Sequence, residues 1–197
     1  MASTGTVHPL WLRLTHWINV LAVVVLVASG WRIYNASPIF PFHFPEAITL
    51  GGWLAGALLW HFAAMWVLAL NGLVYLVVNV VSGRFALRFL PLRPRDVLND
   101  LRAALRGRLA HDDPWRYNAA QKFAYLFVVL DSILLVLSGL VVWKSVQFPL
   151  LRELMGGYDS ARIVHFIAMA AMVTFAVVHI VMAMIVPGSL LRITRGH

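Results

Sequence analysis

The chain has 197 residues, of which 61% are hydrophobic and only 12% charged, a composition that excludes a soluble domain and indicates a polytopic membrane protein. It contains no cysteine, which excludes disulfides, thiolate-held iron–sulfur clusters, covalent CxxCH haem attachment and a catalytic thiol. The formal charge of +8 is assigned to basic cytoplasmic loops rather than to nucleic-acid binding.

The amino terminus, MASTGTVHPLWLR, lacks the basic region of a signal peptide. The apolar run after it ends in WRIYN rather than at a small-residue cleavage site, so it reads as a retained transmembrane helix. This first helix is expected over 9–34, with His16 near its amino-terminal end. The stretch NASPIFPFHFPEA, with three prolines in eight residues, cannot continue it. A second apolar run over 47–82 contains His61 and is longer than one crossing needs, so it tilts or projects beyond the bilayer. Asn71-Gly72 marks a candidate irregularity within it. Residues 83–122 form a basic loop, with nine Lys/Arg against four Asp/Glu between Arg84 and Lys122, and Asp96 to Leu109 suits a short amphipathic helix on the membrane surface. The third crossing, 123–143, carries Asp131 and Ser132. The fourth, 162–187, precedes a short basic tail, GSLLRITRGH. No internal repeat is legible.

With four crossings the two tails and the middle loop share one side. That side holds twelve Lys/Arg, while the other holds Arg32, Lys144, Arg152 and Arg162. The basic side is the cytoplasmic one. The expected fold is therefore an all-α membrane protein, one domain over 1–197, folded as an up-down four-helix bundle with both termini cytoplasmic.

Four of the eight histidines lie within the apolar runs: His16, His61, His165 and His179. An intramembrane histidine is costly and points to function. His165 and His179 are fourteen residues apart, which returns a helix to within ~40° of the same face after a rise of ~21 Å. One face of the fourth helix thus offers one imidazole towards each side of the membrane. His179 lies eight residues before Pro187, ~12 Å from the inner end, and His16 enters from the same side, so these two pair. His61 pairs with His165 if the second helix is counted back from Arg84, a rise of ~34 Å; counted from Glu46, His61 falls nearer mid-membrane. A metal site gathers three or four ligands in one place. Two pairs of facing imidazoles with an apolar slot between them suit two bis-histidine b haems, six-coordinate and built for electron transfer. The four histidines are thus the candidate iron ligands.

Gly30, Gly51, Gly52, Gly56 and Gly139 can let a porphyrin approach the backbone or can serve helix packing. Arg13 and Lys122 are candidates to meet haem propionates, against the alternative of snorkelling at a helix end. Asp131, nine residues from Lys122 and so ~13 Å deep, can exchange protons with a quinol or hold a polar contact with a neighbouring helix. The tryptophans suit interfacial belts, with Trp11, Trp17 and Trp115 also candidates to border a quinone cleft.

The segments LWLRLTHW in the first helix, WHF in the second, WRYNAAQKFAYL opening the third and VHFIAMAAMVTFAVVHIVMA with GSLLRITRG in the fourth resemble the bacterial di-haem cytochrome b proteins of the cytochrome b-561/nickel-hydrogenase type. These include membrane subunits of respiratory hydrogenases and formate dehydrogenases, and the resemblance covers essentially the whole chain. It implies two b haems ligated by His16, His61, His165 and His179, quinone exchange near the cytoplasmic-side haem, and a redox partner docked outside. LNGLVYLVVNVVSGRFALRFLP is similar to a subgroup associated with periplasmic molybdopterin oxidoreductases. The short outer loops depart from a chain with a large docking surface of its own.

The expected function is electron transfer between ubiquinone or menaquinone and a periplasmic redox protein, such as a molybdopterin oxidoreductase or a hydrogenase. The chain is then an electron-transfer subunit with quinone-reductase or quinol-oxidase activity, in the lipid of the bacterial inner membrane. A homo-oligomer is compatible with this reading. The alternative is a stand-alone superoxide:quinone oxidoreductase, with Lys144, Arg152 and Arg162 steering the anion and Glu153 and Asp159 diluting them. A transporter would call for paired broken helices, of which only Asn71-Gly72 gives a hint.

Overall fold

In a computed structural model, residues 9–81, 93–105, 119–185 and 189–195 are described, and all the regular structure among them is helical. Four helices are long and apolar enough to cross a membrane: α1 (Leu10–Ala36), α2 (Leu54–Val81), α4 (Ala119–Lys144) and α6 (Tyr158–Ile185). Three short helices accompany them, α3 (Pro94–Leu105), α5 (Pro149–Leu154) and α7 (Ser189–Arg195). Each long helix has 26 to 28 residues, or ~40 Å at 1.5 Å per residue, enough for a ~30 Å hydrocarbon core.

The helices form two compact units. In the first, α1 packs on α2; in the second, α4 packs on α6, with α3 against α4. Many of the side chains they bury are small: Ala22, Ser29, Ala57 and Ala64 in the first unit, Ser138, Val141, Ala161 and Ala168 in the second, beside the larger Leu12, Tyr34 and Met172. Bulky residues such as Leu59, 74% exposed, point outward. Helices in lipid gain by close backbone approach at small residues, because lipid tails already satisfy the large ones.

The end of α1 is folded onto the segment that follows it. The Asn35 amide donates to the Phe44 carbonyl at 2.8 Å while its Oδ1 accepts from the Phe44 N–H at 2.9 Å. Tyr34 Oη bonds both backbone groups of Phe40, Arg32 pairs with Glu46 at 2.7 Å, and Trp31 stacks on Phe44. These bonds satisfy backbone groups that the prolines prevent from entering a helix.

The second span starts later than the expected residue 47. Glu46–Ile48 form a single 3₁₀ turn, and Gly51 at φ 109° carries the chain into α2 at Leu54. The positive φ and the close Ala57 backbone leave no room for a side chain at Gly51. Asn71-Gly72 does not interrupt α2: Asn71 Nδ2 instead donates to the Thr15 carbonyl and to Asn19 Oδ1 of α1, each at 2.7 Å. An amide here satisfies polar groups across two helices.

In the second unit α4 begins at Ala119 and α6 at Tyr158, each four residues before the expected 123 and 162. Asp100 Oδ2 of α3 accepts from the Ala119 and Ala120 N–H groups at 2.6 and 3.3 Å. It thereby caps α4 with a charge that complements the helix dipole. The expected surface helix over Asp96 to Leu109 corresponds to α3 as far as Leu105. The remainder, most of the expected 83–122 loop including Trp115, and Pro187 lie outside the described residues.

Candidate functional site

All four intramembrane histidines stand on spanning helices, two in each unit: His16 on α1 and His61 on α2, His165 and His179 both on α6. Among the described residues no three His, Asp or Glu side chains converge as metal-ligand groups do. His16 lies six residues into α1 and meets Trp17 edge-on at 5.3 Å. His179 lies six residues before the end of α6, and its ring stacks on Phe175, which packs on Phe127 of α4.

His61 and His165 share a second kind of setting. Each is seven residues into its helix, counted from Leu54 and Tyr158. His61 Nδ1 lies 3.1 Å from Ser29 Oγ of α1, and His165 Nδ1 lies 3.0 Å from Ser138 Oγ of α4. Next to each serine is a glycine facing the same imidazole. A Cβ added at Gly30 would lie 3.5 Å from His61 Cε1, and one at Gly139 would lie 3.2 Å from His165 Cε1. Of the five glycines that composition offers, these two border histidines; Gly51 and Gly56 meet each other at the start of α2.

Arg13 Nη1 donates to the Thr194 carbonyl of α7 at 2.7 Å, tying the first helix to the tail of its own unit. Its buried Nε makes no hydrogen bond. Lys122, half-buried, occupies the first turn of α4. Asp131 is only 7% exposed, and its buried Oδ2 makes no hydrogen bond. It lies in a groove of about 290 Å³ on one face of α4, with Phe123, Leu126, Phe127, Leu130 and Leu134. Buried carboxylates are ordinarily paired, and the Oδ2 of Asp131 departs from that rule.

Sequence reasoning misses Ser29 and Ser138. The available signal is the Ser-Gly pair, in VASGW and again in VLSGL, late in the helix preceding each histidine-bearing one. Buried serine in a membrane helix ordinarily bonds its own backbone, so the pairs carry no functional signal until the facing imidazoles are seen.

The sequence profile of the prokaryotic cytochrome b561 family matches residues 7–196. Over 191 residues the chain is 61% identical to a protein of Azospira oryzae provisionally named protein-methionine-sulfoxide reductase subunit YedZ1, covering 97% of this chain and 96% of that protein. It is 27% identical over 185 residues to a Cupriavidus necator protein provisionally named Ni/Fe-hydrogenase B-type cytochrome subunit, covering 85% of this chain and 74% of that one. No solved structure matches the chain. With four helices able to span a membrane and this profile over nearly its whole length, the chain belongs to the prokaryotic cytochrome b561 family, multi-pass membrane cytochromes b of electron transport.

Proposed function

We propose that this chain is a di-haem cytochrome b of the bacterial inner membrane that moves electrons between the quinone pool and an exported oxidoreductase. The observation that carries this reading is that four histidines sit six or seven residues from the ends of three apolar helices, two of them on α6. His61 and His165 stand equally far into theirs, and each is bordered by a glycine. His16, His61, His165 and His179 are the residues that would hold haem b, which when bound would supply a one-electron iron couple suited to electron transfer.

The residues suit such a group. Neutral imidazoles are ligands of the right kind, and Gly30 and Gly139 keep side chains away from the histidine edges. His61 with His165 and His16 with His179 form the two ligand pairs. The late start of α2 at Leu54 supports the first pairing, because it removes the mid-membrane position that counting from Glu46 implies for His61. Six residues from a helix end for both His16 and His179 supports the second.

Asp131 is the proton-exchanging group of the quinone site, and the apolar α4 groove around it suits a quinone ring. Arg13, whose Nε makes no hydrogen bond, and Lys122 are the proposed contacts of the haem propionates. The exported partner is a reductase of oxidised methionine, as the name of the Azospira oryzae relative indicates for that protein. That relative shares more than twice the identity of the hydrogenase-type one over a longer stretch, which favours this partner over a hydrogenase.

The test is the purified protein. It should bind about two haems per chain, show a reduced-minus-oxidised b-type spectrum and be reduced by a quinol. A ratio near one would remove the second ligand pair. Absence of quinol reduction would remove the quinone role.

A further inference from the structure

We infer that Ser29 and Ser138 are positioning residues, which fix the tautomer of His61 and His165, aim the opposite ring nitrogen at the haem iron and tune its potential. The inference deepens the proposed function and rests on it.

The argument begins with proton counting. A serine hydroxyl has one proton to give and lone pairs to receive. Ser29 Oγ donates to the Val25 carbonyl at 2.6 Å, with Leu26 O at 3.2 Å. Ser138 Oγ donates to the Leu134 carbonyl at 2.6 Å, with Leu135 O at 3.3 Å. With that proton committed to the helix backbone, each Oγ faces the imidazole only as an acceptor. The hydrogen must then come from the ring: His61 Nδ1–H donates to Ser29, and His165 Nδ1–H to Ser138. In a neutral imidazole a proton on Nδ1 puts the lone pair on Nε2. Both serines are completely buried, so no water competes for these bonds.

The same device is therefore built twice, once in each unit: a Ser-Gly pair late in one helix and a histidine seven residues into its packing partner. The two copies differ only in the span between serine and histidine, 32 residues against 27. The repeat stops there. Thirteen residues before Ser29 stands His16, but thirteen before Ser138 stands Tyr125; fourteen after His165 stands His179, but fourteen after His61 stands Tyr75. The serine device thus marks His61 and His165 as a matched pair and sets them apart from His16 and His179.

A hydrogen bond from the non-ligating nitrogen makes an imidazole a stronger donor and holds its ring plane. A stronger donor favours ferric iron, so losing the acceptor raises the potential. The experiment is redox titration and low-temperature EPR of the purified holoprotein carrying Ser29→Ala, Ser138→Ala, both, or the hydroxyl-retaining Ser29→Thr and Ser138→Thr, beside His61→Ala and His165→Ala.

Each alanine variant should keep two haems, raise the midpoint potential of the one haem that His61→Ala and His165→Ala remove, and shift its ferric EPR signal. The double variant should shift it further, and threonine should restore it. Ser29→Cys and Ser138→Cys keep the volume with a poorer acceptor, and they serve if the alanine proteins do not accumulate. Unchanged potentials and EPR signals, with one haem still lost in His165→Ala, would overturn the positioning role and leave the proposed function standing. Retention of both haems in His61→Ala and His165→Ala would overturn the ligand assignment itself.

Discussion

At the scale of single residues, histidine, glycine and aspartate give separable expectations. Replacing His165 by alanine should lower the haem-to-protein ratio from about two to about one, read by pyridine haemochrome, because His179 retains its own partner under the proposed pairing. Loss of both haems would mean that α6 needs His165 to fold. Gly139 is a finer probe. A methyl group 3.2 Å from His165 Cε1 is tighter than ordinary contact, so Gly139→Ala should disturb the ring and its haem. Gly72→Ala, with nothing within 4 Å, should be neutral or gain up to ~1 kcal/mol from helix propensity. Asp131 separates function from stability by sign. A buried carboxyl oxygen without a partner costs about 1–3 kcal/mol, so Asp131→Leu should raise the thermal midpoint while slowing quinol-driven haem reduction severalfold. A variant that is stabler and equally fast would make Asp131 a structural residue.

At the scale of elements, the spanning helices are legible in sequence and their joints are not. Apolar length identifies four spans, because a run of some twenty apolar residues has one stable fate in lipid. The start of α2 is hidden because Ala47 to Gly52 is as apolar as the helix after it; what stops the helix is backbone geometry at Gly51. The starts of α4 and α6 are hidden for a different reason. Asp100 caps α4 from another helix, a contact that no local pattern encodes. Asn71 shows the same gap: Asn-Gly reads as a break, yet the amide is absorbed by Thr15 and Asn19 of α1. Asn71→Leu should therefore destabilise the first unit by about 1 kcal/mol, the scale of an interhelical hydrogen bond in a membrane. The measurement is a thermal or denaturant midpoint in detergent with haem content followed separately. The histidines were legible because ionisable groups in apolar helices are rare. Their serines were not, because the Ser-Gly device is a repeat of contacts: the loops between its halves differ in length, and tyrosine replaces histidine at the register positions beyond it.

At the scale of the whole molecule, the charge distribution orders what chemistry each end can do. Twelve of the sixteen Lys/Arg lie in or next to the tails and middle loop, and four in or next to the other two connections, which should place α3, α7 and both termini in the cytoplasm. The Ser-Gly ends of both helix pairs, with the folded segment around Phe40–Phe44, would then face an exported partner, and the Asp131 groove would lie towards the cytoplasmic side. The absence of native cysteine makes this directly measurable, because any introduced thiol is the only one present. His43→Cys and Asp159→Cys, both at exposed positions on the loop side, should react with a membrane-impermeant maleimide in spheroplasts. Arg95→Cys and Thr194→Cys, also exposed, should react only after the membrane is opened. The reverse pattern would turn the protein over, put the Asp131 groove towards the outer side and turn the proposed partner-facing end to the cytoplasm. Labelling of all four from outside would require an even number of crossings between each loop and the segment after it, instead of the single span present there, and the four-span reading itself would fall.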